Sequence, residues 1–132
     1  MKKLFVTGGN GFLGRRMCEK LANDENIVTA PSSTECDLRD FNQLEKYKNI
    51  DFDEIYHLAA WTQAGDFCLK HPAEQWLINQ SINTNIINWW SQFQPNAKFI
   101  FMGTSCSYDP GNPLKEEFYM KGEPIDSLYT YA

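Results

Sequence analysis

At 132 residues, 42% hydrophobic and 22% charged, the chain suits one domain with a real core, and nine Phe, six Tyr and four Trp argue against disorder. A net charge of −5 with no basic run excludes nucleic acid as a partner class, because phosphate binding needs clustered Lys and Arg. No apolar run reaches a membrane span, and the apolar stretch after Lys2 and Lys3 is too short for a signal peptide, so a cytoplasmic protein is expected.

In chain order, Lys3 to Thr7 reads as a short strand that ends in glycines. From Phe12 to Ala22 the period changes, with Leu13, Met17 and Leu21 forming the stripe of an amphipathic helix. Ile27 to Ala30 is a second strand, left through Pro31-Ser32-Ser33. Asp40 is placed to cap a helix through Tyr47, with Phe41 and Leu44 inward. Glu54 to Leu58 is a third strand. A long helix begins near Pro72, presents Trp76, Asn79, Ile82, Ile86, Trp90 and Phe93 on one face, and stops before Pro95. Lys98 to Met102 is a fourth strand, apolar on both faces as a central parallel strand is. After Tyr108 a long loop is expected. Alternating strands and helices predict an α/β fold, a doubly wound parallel sheet of Rossmann type.

Cys18, Cys36, Cys68 and Cys106 form no Cys-x-x-Cys pair and read as reduced thiols. Cys68 and His71 stand three apart without a second ligand pair, so no metal is expected. The strongest motif is Thr7-Gly8-Gly9-Asn10-Gly11-Phe12-Leu13-Gly14, between a strand and a helix. Its chemistry is that of a dinucleotide loop. Gly8 permits a tight turn, Gly11 lets backbone approach a pyrophosphate, and Gly14 lets the helix pack closely. The helix N-terminus offers N–H donors to the phosphates.

TGGNGFLG resembles the TGxxGxxG loop of the extended short-chain dehydrogenases, which include the nucleotide-sugar epimerases and dehydratases. Further stretches agree with it: Asp37-Leu38, His57-Leu58-Ala59-Ala60, and Asn79 with the following SINTNII. The resemblance implies a strand order of 3-2-1-4. It implies an NAD or NADP site formed by Gly8, Asn10, Gly11, Phe12, Leu13, Gly14, Asp37, Leu38, Leu58, Ala59 and Ala60. Alone, Asp37 also reads as a solvated loop acid, His57 as a packed strand histidine and Asn79 as a buried hydrogen bonder. Ala30 to Thr34 holds no acid at the second strand's end and carries three hydroxyls, with Arg15 or Arg39 able to add charge, which leans toward NADP.

Gly103-Thr104-Ser105-Cys106-Ser107-Tyr108 resembles the strand end that supplies the Ser or Thr of the family's Ser/Thr-Tyr-Lys site. Thr104 is the residue expected there, with Ser105 next. GTSCSYDP is similar to the GSSC-x-YP stretch of the GDP-L-fucose synthase branch, which implies an acid/base role for Cys106 in sugar epimerisation; a buried, inert thiol is the other reading. Tyr131, followed by Ala132, matches the family tyrosine, and Tyr129 is the alternative. The matching lysine would stand beyond Ala132. The resemblance thus implies the N-terminal part of a nucleotide-sugar epimerase/reductase, an incomplete Rossmann domain truncated before the later strands and the substrate lobe. Another epimerase or dehydratase, or a non-catalytic dinucleotide-binding module, are the alternatives. A homodimer pairing through the helix of Trp76, Trp89 and Trp90 is also implied.

Overall fold

A computed structural model describes residues 1–23, 25–63 and 66–124. They divide into two compact units, Met1–Trp61 with Gln80–Met102, and Thr62–Asn79 with the chain from Gly103 onward.

The first unit holds β1 (Lys2–Thr7), α1 (Phe12–Leu21), β2 (Asn26–Thr29), a 3-10 helix (Phe41–Tyr47), β3 (Glu54–His57) and β4 (Lys98–Phe101). All pairings are parallel, and the order is β2-β1-β3-β4. The doubly wound parallel class is as expected, but the order 3-2-1-4 is not. Burial explains the difference. The last four residues of β1 are fully buried and need a neighbour on each side, and Ile55 and His57 of β3 are equally buried. The half-exposed β2 suits an edge and could not shield β3. After β2 the chain forms turns and the 3-10 helix and no further strand before β3 among the described residues. The chain therefore leaves β1 in one direction for β2 and returns across it to β3. Such a reversal places a ligand crevice at the carboxyl ends of the two central strands, here β1 and β3.

The core of this unit centres on Phe5, whose ring lies 5.1 Å from those of Tyr47 and Phe52 and 5.2 Å from that of Trp89. Leu4, Leu44, Ile55 and Ile86 complete it. Gln94 is buried but satisfied: its Oε1 accepts from Phe52 N at 3.1 Å and its Nε2 donates to Ile50 O at 2.8 Å. Asp40 caps the 3-10 helix by accepting from Asn42 N, as its position suggests.

Helix α3 (Pro72–Phe93) crosses the boundary between the units. Its buried residues are Gln75, Asn79, Ile82, Ile86 and Trp89, a stripe rotated from the expected one. Trp89 is wholly buried and so cannot serve a dimer face, whereas Trp76 is 40% exposed and Trp90 is half-buried, donating from Nε1 to Ala97 O. Rotating the face by one residue exchanges which of the adjacent tryptophans enters the core. At the end of β4, Phe101 and Met102 are about half exposed.

The second unit contains α2 (Phe67–Lys70), the start of α3, and two short 3-10 turns at Ser105–Ser107 and Glu116–Phe118. The stretch after Tyr108 is a loop, as its Pro, Gly and acidic content predicts.

Candidate functional site

β1 delivers the chain to Gly8, which turns with φ +70°, a conformation that L side chains rarely adopt. A Cβ there would also lie 2.8–2.9 Å from backbone atoms of Leu58 and Ala59, so the glycine loop rests directly on the end of β3. Gly14 is buried in the first turn of α1, and a Cβ on it would collide with the Gly8 carbonyl oxygen. These two glycines bring Gly8, Gly14, Leu58 and Ala59 together at the switch point. Gly11 is the N-cap of α1 and brings no side-chain cap, so the first-turn N–H groups await an outside acceptor. Asn10, Gly11, Phe12 and Leu13 are exposed around that helix end. Exposed donors at a helix start, backed by a cradle that a Cβ would fill, fit a pyrophosphate.

A buried hydrogen-bond chain fixes the β3 side of the crevice. Thr7 Oγ1 accepts from Leu58 N and Ala59 N, each at 3.2 Å. Its own proton then goes to His57 Nδ1, 2.7 Å away, which leaves Nε2–H to donate to Asn83 Oδ1 at 3.0 Å. Burial pushes the His57 imidazolium down from its ordinary pKa, and the bond to Asn83 only partly offsets this. Neutral His57 is the form that completes the chain. Motif reading included Thr7 in the glycine loop and Asn83 in SINTNII but gave neither a role of its own. The available signal was register, since parallel pairing sets Thr7 opposite His57.

On the β2 side, Asp37 and Leu38 lie in the turn before the 3-10 helix. Asp37 binds the Arg39 guanidinium through both oxygens, at 2.6–3.1 Å, and this bond holds its carboxyl below the usual carboxylate range. Leu38 is buried, and Asn85 Nδ2 donates to its carbonyl at 2.8 Å. Thus the SINTNII stretch supplies anchors, Asn83 to β3 and Asn85 to this turn. Asn79 donates to Gln75 O of its own helix. Glu35, one residue past the hydroxyl-rich stretch, folds its carboxylate onto Ser32. Leu58 and Ala59 are half-buried where the chain leaves β3, and Ala60 after them is exposed.

In the second unit, Thr104 caps the Ser105–Ser107 turn, its Oγ1 accepting from Cys106 N at 3.1 Å. That bond uses an oxygen lone pair and not the hydroxyl proton. Thr104 and Cys106 are half-buried and Ser105 is exposed. Ser107 is buried with its hydroxyl unpartnered among the described residues. Tyr108 stacks edge-on with Tyr119 at 5.7 Å. Tyr131 and Tyr129 lie outside the described residues.

Among the described residues no group of three or more His, Cys, Asp or Glu could hold a metal. No helix among them is long and apolar enough to cross a membrane.

The model of the NAD dependent epimerase/dehydratase family matches residues 4–132. A GDP-L-fucose synthase of Azorhizobium caulinodans is 28% identical over 125 residues, 92% of this chain and 39% of the relative. A GDP-L-fucose synthetase from Naegleria fowleri, solved with NADP, is 26% identical with a TM-score of 0.75; the match covers 98% of this chain and 43% of that one. A GDP-mannoheptose C4 reductase from Campylobacter jejuni, also with NADP bound, shares the fold with a TM-score of 0.80 at 22% identity, over 98% of this chain and 39% of that one. The chain therefore spans about two fifths of the length of the relatives it matches.

Proposed function

The chain belongs to the NAD dependent epimerase/dehydratase family, and from that premise we propose that the protein is a nucleotide-sugar epimerase/reductase of the GDP-L-fucose synthase kind. The observation that carries the dinucleotide part is the cradle at the switch point, where Gly8 and Gly14 clear the space and α1 presents exposed donors. Gly11, Phe12, Leu13 and Gly14 would hold the pyrophosphate through backbone N–H groups, with Asn10 beside them. Leu58, Ala59 and Ala60 would line the ribose side, and Asp37 with Leu38 would border the adenine. The bound dinucleotide would supply or accept a hydride at a sugar carbon.

The remaining chemistry falls to side chains from Thr104 onward. Thr104 would keep its capping bond and donate its proton to the substrate's carbonyl or alcohol oxygen. Tyr131 would move a proton to or from that same oxygen. Cys106 would take and return a proton at the carbon being epimerised. The GDP-L-fucose synthase reading rests on the similarity of relatives across nearly the whole chain. A second reading, reduction of a UDP-linked 4-keto sugar, draws on a 39% identical stretch of 57 residues in a UDP-2-acetamido-2,6-beta-L-arabino-hexul-4-ose reductase of Pseudomonas aeruginosa.

The test is reduction of GDP-4-keto-6-deoxymannose by the intact protein with NADH or NADPH, followed by nicotinamide absorbance. Turnover is expected, with a loss of about 10²–10⁴-fold in Thr104→Val. Cys106→Ser should suppress exchange of solvent deuterium into the sugar. Absence of turnover with the GDP sugar alongside turnover with a UDP sugar would select the second reading, and absence with both would overturn the proposal.

A further inference from the structure

Gly103, the residue before Thr104, faces open space. Apart from its chain neighbours, the only heavy atom among the described residues within 4 Å of a Cβ built on Gly103 is Tyr119 Oη, at 3.8 Å. Gly103 itself is exposed. The glycine therefore leaves a notch with the phenol oxygen at its border. Backbone dimensions put that oxygen within about 9 Å of the Thr104 α-carbon, a span that one hexose with its substituents bridges.

Tyr119 is held there from within its own loop. Its ring meets Tyr108 edge-on, with centroids 5.7 Å apart. Its N–H donates to the Glu116 carbonyl at 3.1 Å and closes the turn before it. Met120, at φ +57°, and Gly122, at φ +82°, then bend the chain back, and Glu123 N reaches Asp109 Oδ2 at 3.1 Å. A non-glycine residue in the left-handed region is uncommon, and here it directly follows an aromatic side chain that stays 48% exposed.

We infer that Tyr119 is a further substrate-contacting residue of the proposed reaction: its phenol shares a hydrogen bond with a hydroxyl of the sugar that sits over Gly103 and presents its reacting oxygen to Thr104. The inference rests on the reaction proposed above. A phenol both donates and accepts, and so does a sugar hydroxyl, so the pair can form in either direction. The bond is made to a sugar hydroxyl and not to the reacting oxygen. It is therefore present in the ground state and the transition state alike, and its loss falls on KM more than on kcat.

Steady-state kinetics of the intact protein test it, with whichever of the GDP-linked and UDP-linked 4-keto sugars is reduced. Tyr119→Phe keeps the ring against Tyr108 and removes only the hydroxyl. It should raise KM for the sugar nucleotide about 3–10-fold with kcat within about twofold, and leave dinucleotide affinity and the denaturant midpoint unchanged. A purely structural tyrosine would move the midpoint and not KM. Gly103→Ala puts a methyl at ordinary contact distance from the phenol oxygen, so the fold should accept it, but the notch is filled. KM should then rise about tenfold or more. Adding Tyr119→Phe to Gly103→Ala should have little further effect, because the sugar is already kept from the phenol. An unchanged KM in either single variant would overturn the inference while leaving the reaction standing. Turnover of neither sugar by the unaltered protein would overturn the reaction, and the inference with it.

Discussion

The glycine loop and the Thr104–Tyr108 segment are held by different kinds of contact. Around the glycine loop the partners are distant in sequence: Thr7 with His57, His57 with Asn83, Gly8 against Ala59. Around Thr104 the described hydrogen bonds join near neighbours, Thr104 to Cys106 and Asp109 to Gly111, with Asp109 to Glu123 reaching furthest. A site built from distant partners forms with the whole core and has its stability. A site built from turns can open without unfolding the rest. The glycine-loop side should therefore be rigid and preformed, and the Thr104 side compliant.

The largest effect expected on that contrast comes from the core itself. Trp89→Ala should cost about 3–5 kcal/mol in denaturant titration, as for other large buried aromatics. Trp89→Phe should cost much less, because the indole N–H finds no partner among the described residues and its removal leaves nothing unsatisfied. A small effect of the alanine would mean that the first unit is not the cooperative body its packing indicates. Next is Gly14→Ala, whose methyl has no room beside the Gly8 carbonyl. About 2–3 kcal/mol of stability and measurable dinucleotide binding should be lost together.

Thr7→Val comes third. It leaves Ala59 N and His57 Nδ1 without their partner, while Leu58 N keeps its bond to the Thr7 main-chain carbonyl, and should cost about 1–3 kcal/mol in all as the loop relaxes. His57 adds a pH dependence. Its pKa is lower folded than unfolded, so between the folded value and about 6.5 the unfolded chain binds more protons. Stability is then full above about pH 6.5 and falls as pH drops through that window. Urea titrations at several pH values should show this slope in the unaltered protein. It should be flattened in His57→Gln.

The same contrast decides what was legible in the sequence. Gly8 and Gly14 were readable because close backbone approach tolerates a single residue type, and the structure puts both where a Cβ cannot go. The strands were readable from apolar runs, but their order was not, because order depends on which strand can tolerate an edge. Choosing Trp90 over Trp89 shows the limit of periodicity, since one residue of helix rotation exchanges core for half-exposed surface. The roles of Thr7 and Asn83 went unread because they lie in partners from other elements. Thr104 and Cys106 came from local resemblance, and the structure adds that the threonine is also the cap of their turn.

The smallest effect should come from Asp109, and it tests the compliant side directly. Its Oδ1 accepts from Gly111 N at 2.7 Å and its Oδ2 from Glu123 N at 3.1 Å, so one side chain closes a loop of 14 residues. Gly122, at φ +82°, lets the chain pass so close that a Cβ there would lie 2.5 Å from Asp109 Oδ2. Asp109→Ala removes both bonds from an exposed loop and should cost about 1 kcal/mol or less in global unfolding. Hydrogen exchange is the sharper readout. The amides of Gly111 and Glu123 should exchange faster while those of Phe5 and Val6 in β1 are unchanged. Faster exchange in β1 as well would show that the loop is coupled to the core, and the division into a rigid glycine-loop side and a compliant Thr104 side would fail.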